Sequence, residues 1–268
     1  IKMDYNDIKR IVYTRTVIQE DKKYFSASSC ITGKYEDGTY YFRNEFTELP
    51  NDFELIDDDI VQEAARQEII RRYFRCSCEY AMGLIEKDIL QLSELIMKNI
   101  GAVAEDRSVV LPARNAAEAA MEAGMGNNGI FCGAAIKLKD GTIITGENSE
   151  LMHAAASITT KAIKHLAGIP EKIDLLPQNI IDSISNFKKK VMKGNKTDLD
   201  LNEILIALSI STTSNPAAQL AVEKLESLHG CEVHITHIPT PGDEAGLRKL
   251  GVNLTSDPNF SSRRLYIS

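Results

Sequence analysis

The sequence predicts an α/β protein: a β-rich N-terminal segment and a helical layer, followed by a three-layer α/β/α domain with a mixed sheet. Three observations predict it. β-Branched and aromatic residues flank Glu36-Asp37-Gly38, a hairpin signal. Helical patterns fill the stretch between Asp57 and Gly126. From Gly133 onward, short apolar runs alternate with helix-length segments in the order β-β-α-(insertion)-β-α-β-α-β. The expected boundaries are 1–56, 57–126 and 127–268, with the insertion at about 167–200.

Composition narrows the function classes. Of 268 residues, 43% are hydrophobic and 26% charged, an ordinary globular balance. No apolar run approaches the ~18 residues of a membrane span, so no membrane partner is expected. A net charge of −7 argues against a nucleic-acid partner, because phosphate neutralisation needs a basic surface. The cysteines (Cys30, Cys76, Cys78, Cys132 and Cys231) are odd in number and scattered, and no signal peptide precedes them. A reducing, cytoplasmic setting is expected. A first residue of Ile1 in place of Met fits a trimmed chain or a fragment of a longer product.

The elements follow in order. IVYTRTVI, KYFSASSCITGKY and TYYFRNEF read as strands, and ELPNDFELIDDD as a linker or helix start. Asp59 and Gln62 resemble a capping box ahead of a helix that turns Ile60, Ala64, Ile70 and Phe74 inward. Its Arg66, Arg71, Arg72 and Arg75 read as a solvated face in preference to an anion clamp. A second helix spans Lys87–Ile100 with Leu92, Leu95 and Ile96 inward, and a third follows Pro112. Gly124–Gly129 is a literal GxGxxG. A dinucleotide site needs that motif between a strand and a following helix, and here the order is reversed, so it reads as a connection.

Two strands around Asp140-Gly141 then lead into the helix HAAASITTKAIKHL. Asn179–Val191 reads as a helix and KKKVMKGNK as an exposed loop. EILIALSIS reads as a buried strand. A helix entered through Thr212–Asn215 has Pro216 at its first position. CEVHITHI, PGDEAGLRKLG and VNLTSDP complete the pattern as strand, helix and strand.

A hairpin feeding a helix in this order resembles the cytidine-deaminase-like fold. In that family one helix opens (His/Cys)-Ala-Glu and a second Pro-Cys-x-x-Cys, together holding zinc and a Glu acid/base. Here His153-Ala154 matches, but Ala155 replaces the Glu, and Asn215-Pro216-Ala217-Ala218-Gln219 offers no cysteine for the second motif. The resemblance therefore implies the fold without the metal or the deaminase chemistry. Some members of that superfamily, such as the formyl-transferring step of purine synthesis, work without zinc.

A second resemblance is carried by DDDIVQEAARQEIIRRYF, AEDRSVV, LKDGTIITGENS, DLNEILIALSIS, TSNPAAQLAVEKLESLHGCEVH and LRKLGVNLTSDP. From about Asp57 to Pro258 these look like the C-terminal half of the bacterial domain-of-unknown-function family 1846, the UPF0371 group. Members are about twice this length. Their N-terminal half carries a Gly-rich, P-loop-like stretch that has no counterpart here.

Candidate chemistry collects at one expected sheet edge. Asn148, Ser149, Thr213, Ser214 and Asn215 are candidate ligand-binding residues, because polar residues at helix N-termini and strand ends receive anions. His153 and His237 are the candidate catalytic residues, since imidazole moves protons near neutral pH. His234 and His237 lie three apart on a strand and point to opposite faces, so they do not share a metal. No metal and no cofactor are expected. The function expected is a metal-independent enzyme, or enzyme half, acting on a nucleotide-like or other anionic small molecule. The alternative is a non-catalytic ligand-binding or oligomerisation module working with a separate or missing N-terminal nucleotide-binding half, and a homo-oligomer is compatible with either.

Overall fold

A computed structural model describes residues 16–20, 23–34, 40–48, 58–193 and 197–260. Two compact units divide the chain, Ile1–Glu63 and Ala64–Ser268. In the first, β1 (Thr16–Glu20), β2 (Lys23–Lys34) and β3 (Tyr40–Glu48) form an antiparallel sheet in the order β1-β2-β3. Its register shifts between Ile31 and Gly33. Strands at Val17-Ile18 and Tyr40–Phe46 are what their β-branched and aromatic content favours. The expected turn at Glu36-Asp37-Gly38 and the run before Asp58 lie outside the described residues.

Within the second unit, four strands form a mixed sheet in the order β5-β4-β6-β7. β4 (Gly133–Lys137) runs antiparallel to β5 (Ile143–Glu147) and to β6 (Glu232–Ile235), and β6 runs parallel to β7 (Asn253–Ser256). The alternation of side chains along β4 separates two faces. Ala135 packs with Val109 and Ala113. Ala134 and Ile136 join the main core with Ile158, Leu201, Leu208, Val233 and Leu247. Each fully buried large aliphatic side chain there contributes about 1.5–3 kcal/mol.

Helices cover both faces. On the Ala135 side lies α3 (Val110–Glu122), preceded by α1 (Asp58–Ala81) and α2 (Lys87–Asn99). Ile70 and Phe74 of α1, Met97 of α2 and Val110 of α3 form a second cluster, and the Phe74 ring rests on His234 of β6 with centroids 4.9 Å apart. α1 begins at Asp58, one residue ahead of the expected cap position at Asp59. α2 buries Ser93 and Met97 while Leu92 and Leu95 are exposed, the reverse of the expected face for those leucines.

The opposite face carries α4 (Ala154–Leu166), α5 (Gln178–Lys190), α6 (Leu201–Ser211), α7 (Pro216–Val222) and α8 (Pro241–Lys249). Here the main correction to the sequence reading falls. EILIALSIS is helix α6, entered through a capping box in which Asp200 accepts from the Glu203 amide and Glu203 accepts from the Asp200 amide. The strand that follows the hairpin-helix unit is therefore β6, and the helix that follows it is α8, which connects β6 to β7. Close approach fixes the layers. A Cβ at Gly133 would meet the Ala113 carbonyl and Ala117 amide of α3, and one at Gly146 would meet Ser157 and Ile158 of α4.

Candidate functional site

Three helix N-termini meet beyond the end of β6, and two short backbone bonds arrange the meeting. The Leu199 amide donates to the Leu151 carbonyl at 2.8 Å, and the His153 amide donates to the Leu199 carbonyl at 2.9 Å. This pairing lays the segment before α6 alongside the approach to α4, and so puts Asp198 beside His153. The third member comes from α8. Its Asp243 accepts from the Leu201 amide at 2.9 Å through Oδ1, and from the Thr240 hydroxyl at 2.7 Å through Oδ2.

His153 stands between the two carboxylates. Its Nδ1 is 2.6 Å from Asp243 Oδ2, and its Nε2 is 3.2 Å from Asp198 Oδ2. Burial works to lower the imidazole pKa, but hydrogen bonds to Asp198 and Asp243 outweigh it and raise the value to about 10. At neutral pH this is an imidazolium with both N–H groups engaged. Burial likewise works to raise the Asp198 carboxyl, and the hydrogen bond and charge of His153, with a further hydrogen bond from the Asn127 side chain, overcome it and hold the group below its ordinary range. The Asp198 side chain is only 7% exposed; Asn127 as well as His153 is placed to donate to the carboxylate, and Oδ1 itself has no hydrogen-bond partner within 3.5 Å among the described residues.

A cleft opens at this junction, with about 540 Å³ of empty space including its mouth. Ile130, Ile235, Ile238 and Pro239 give it apolar walls, and Asn127, Asn128, Asp198 and His237 supply polar groups. The turn Asn127–Ile130 is closed by two backbone hydrogen bonds between those residues, and Asn128 takes a left-handed φ of 53°. The GxGxxG stretch thus acts as a tight turn at the cleft. Ala154 and Ala155 also line the cleft, and no side chain caps α4 there. Its first amides have no acceptor within the helix.

The sequence-derived candidates divide between two places. His153, His237 and Asn148 line the cleft. Asn148 is tied into the scaffold, accepting from the Cys132 amide at 2.7 Å and donating to the Ile130 carbonyl at 3.1 Å. Ser149 closes the adjoining turn by accepting from the Leu151 and Met152 amides. Thr213, Ser214 and Asn215 do not line the cleft. The Thr213 hydroxyl donates to the Ile210 carbonyl, Ser214 is exposed, and Asn215 caps α7 while donating to the carbonyls of Asp174 and Leu175. Their expected place rested on reading α6 as a strand.

His237 lies 3.1 Å from the Thr236 hydroxyl, and burial lowers its pKa, so it is neutral at pH 7. Cys132 is pushed up to about 12 by burial and stays a thiol. Sequence reasoning missed Asp198, Asp243, Asn127 and Asn128. The DLDLNE run around Asp198 carried one usable signal, the capping pattern that marks a helix start immediately after it.

The arginines of α1 do not converge on a clamp. Arg66 binds Asp106 and the carbonyls of Ile100 and Gly101, and Arg71 pairs with Glu68 and Glu232. His234 faces away from the cleft, 2.9 Å from the Thr255 hydroxyl. Among the described residues no group of three or more His, Cys, Asp or Glu side chains is placed to hold a metal ion, and no helix is long and apolar enough to cross a membrane.

Fold and cleft together define an α/β domain with a polar site at the junction of three helix N-termini. Comparison with protein families matches residues 105–266 to the domain of unknown function DUF1846, C-terminal, and residues 49–101 to its N-terminal counterpart. The chain belongs to this family. It is 44% identical over 214 residues to a UPF0371 protein of Clostridium botulinum strain Alaska E43, covering 80% of this chain and 42% of that protein. Similar UPF0371 proteins occur in Clostridium tetani (42% over 212 residues; 79% and 42% covered) and Clostridioides difficile (42% over 217 residues; 81% and 43% covered). The chain spans about two-fifths of the length of these curated relatives.

Proposed function

We propose that this chain is a metal-independent enzyme, or half of one, whose cleft holds a nucleotide-like small molecule. The observation that carries the reading is Asp198: a buried carboxylate, held by His153 and Asn127, whose Oδ1 has no partner within 3.5 Å among the described residues and which shares the cleft with an uncapped helix N-terminus. Leaving a buried charged acceptor unpaired is costly unless a ligand or solvent satisfies it. Asp198 is the group offered to the ligand, and His153 with Asp243 positions it. His153 has no free ring nitrogen, so proton transfer falls to the neutral His237.

The hairpin-helix and strand-helix-strand order supports a deaminase-like arrangement. In that comparison α8 is the second helix, opening Pro241-Gly242-Asp243-Glu244-Ala245 where the zinc motif has Pro-Cys-x-x-Cys. With Gly242 and Ala245 at the cysteine positions and both His153 nitrogens engaged, these residues do not fit zinc. The apolar walls suit a heterocycle, and any phosphate belongs at the mouth, away from Asp198 and Asp243.

A thermal-shift panel of nucleosides and nucleotides tests this. At least one should stabilise the chain, and Asp198→Asn should abolish the effect while Asn215→Ala preserves it. No stabilisation by any compound, or an effect untouched by Asp198→Asn, removes the proposal. A second reading, a binding domain serving chemistry elsewhere in a longer protein, is favoured by the relatives' greater length. Turnover of a stabilising compound by the isolated chain would decide against it.

A further inference from the structure

Resting on the small-molecule cleft proposed above, we infer that the ligand group reaching its floor is an amide-type edge, with an N–H donor next to a carbonyl acceptor. Two complementary features line the same cleft. One is an acceptor, Asp198 Oδ1, an atom with no hydrogen-bond partner within 3.5 Å among the described residues, on a side chain more than nine-tenths buried that His153 and Asn127 otherwise hold. The other is a set of donors, the first amides of α4 at Ala154 and Ala155, which no side chain caps. His153 holds the two together, since it binds Asp198 through Nε2 and directly precedes Ala154 in the chain.

Ligands of a single sign satisfy only half of this floor. A carboxylate or phosphate could accept from the α4 amides but would bring its charge against the unpaired oxygen of Asp198. An amidinium could donate to Asp198 but would face the positive end of α4 and the His153 imidazolium. A neutral lactam or carboxamide meets both groups, and Ile130, Ile235, Ile238 and Pro239 can enclose the ring that carries it. Such a site rejects analogues lacking either half of the edge, because a buried polar group is then left unpaired.

Benzamide, benzamidine and benzoate keep one ring and change only the edge. Each is titrated into the isotope-labelled chain while the Ala154 and Ala155 amide resonances are followed. Benzamide should shift both resonances and bind at least tenfold more tightly than the other two. In Asp198→Asn its preference over benzoate should fall to less than threefold. Tighter binding of benzoate or benzamidine, or no response to benzamide, overturns the inference on the unaltered chain, whether or not the variant folds. If benzoate moves these resonances while benzamide does not, the cleft survives as a ligand site and the amide edge is lost. If neither these probes nor the nucleotide panel moves them, both readings fall.

Discussion

At the scale of single residues, the His153 pair of ion contacts makes stability depend on pH in a direction that can be worked out. An unfolded histidine titrates near 6.5, whereas His153 is raised to about 10. A raised folded-state pKa means the stabilisation is complete below about 6.5 and is lost as pH climbs through about 10. Asp198 runs the other way. Its lowered folded-state pKa gives stability that is present above about 3.9, the unfolded value, and lost as pH falls through the folded value. Denaturant-derived stability should therefore decline between about pH 6.5 and 10, and the decline should be shallower in His153→Asn. Equal slopes in the two proteins would sink the pairing as drawn. His153 was legible because a histidine at the start of a small-residue helix stands out. Asp198 was not, since its place beside His153 depends on the Leu199 backbone pairing with residues far from it in sequence.

At the scale of elements, what sequence patterns can separate becomes clear. β4, β5, β6, β7 and most helices were legible because turns, caps and alternation agreed. The EILIALSIS run failed because nearly continuous apolar residues do not distinguish a buried strand from a buried helix. The capping box at Asp200 and Glu203 was the discriminating sign, and α6 has Ile204 and Leu208 buried four residues apart while Ile206 and Ile210 are exposed. That error displaced Thr213–Asn215 into the expected site. Their observed role gives a different prediction. Asn215 caps α7 through the Ala217 and Ala218 amides and ties it to the chain before α5. Asn215→Ala should lose about 1 kcal/mol of unfolding free energy, with the cleft resonances unmoved. Shifts at Ala154 or Asn127 would show that the cap and the cleft are coupled.

At the scale of the whole α/β unit, the layers on the Ala135 side are tied to the sheet by Arg107, which a pattern reading passes over as one charged residue in a short helical turn. The residue is 1% exposed. Its guanidinium donates to the Thr255 hydroxyl at 2.8 Å and to the carbonyls of Val233 and Asn253, and it pairs with Glu232. Burial lowers its pKa, opposed by Glu232, but an arginine starts so high that it remains charged. One planar group thus fastens the start of α3 to both β6 and β7, the parallel pair whose connection carries Asp243 to the cleft. Removing it orphans the carbonyls, leaves a cavity and weakens the Glu232 pairing. Arg107→Ala should therefore reduce stability by about 3–5 kcal/mol. Lysine keeps the charge but cannot reproduce the fork, so Arg107→Lys should recover less than half of the loss. Urea unfolding of the three proteins measures this. A lysine variant as stable as the unaltered chain would mean that charge alone suffices. An alanine variant within about 1 kcal/mol would mean that the layers are held by their apolar contacts, and that Arg107 merely fills the space between them.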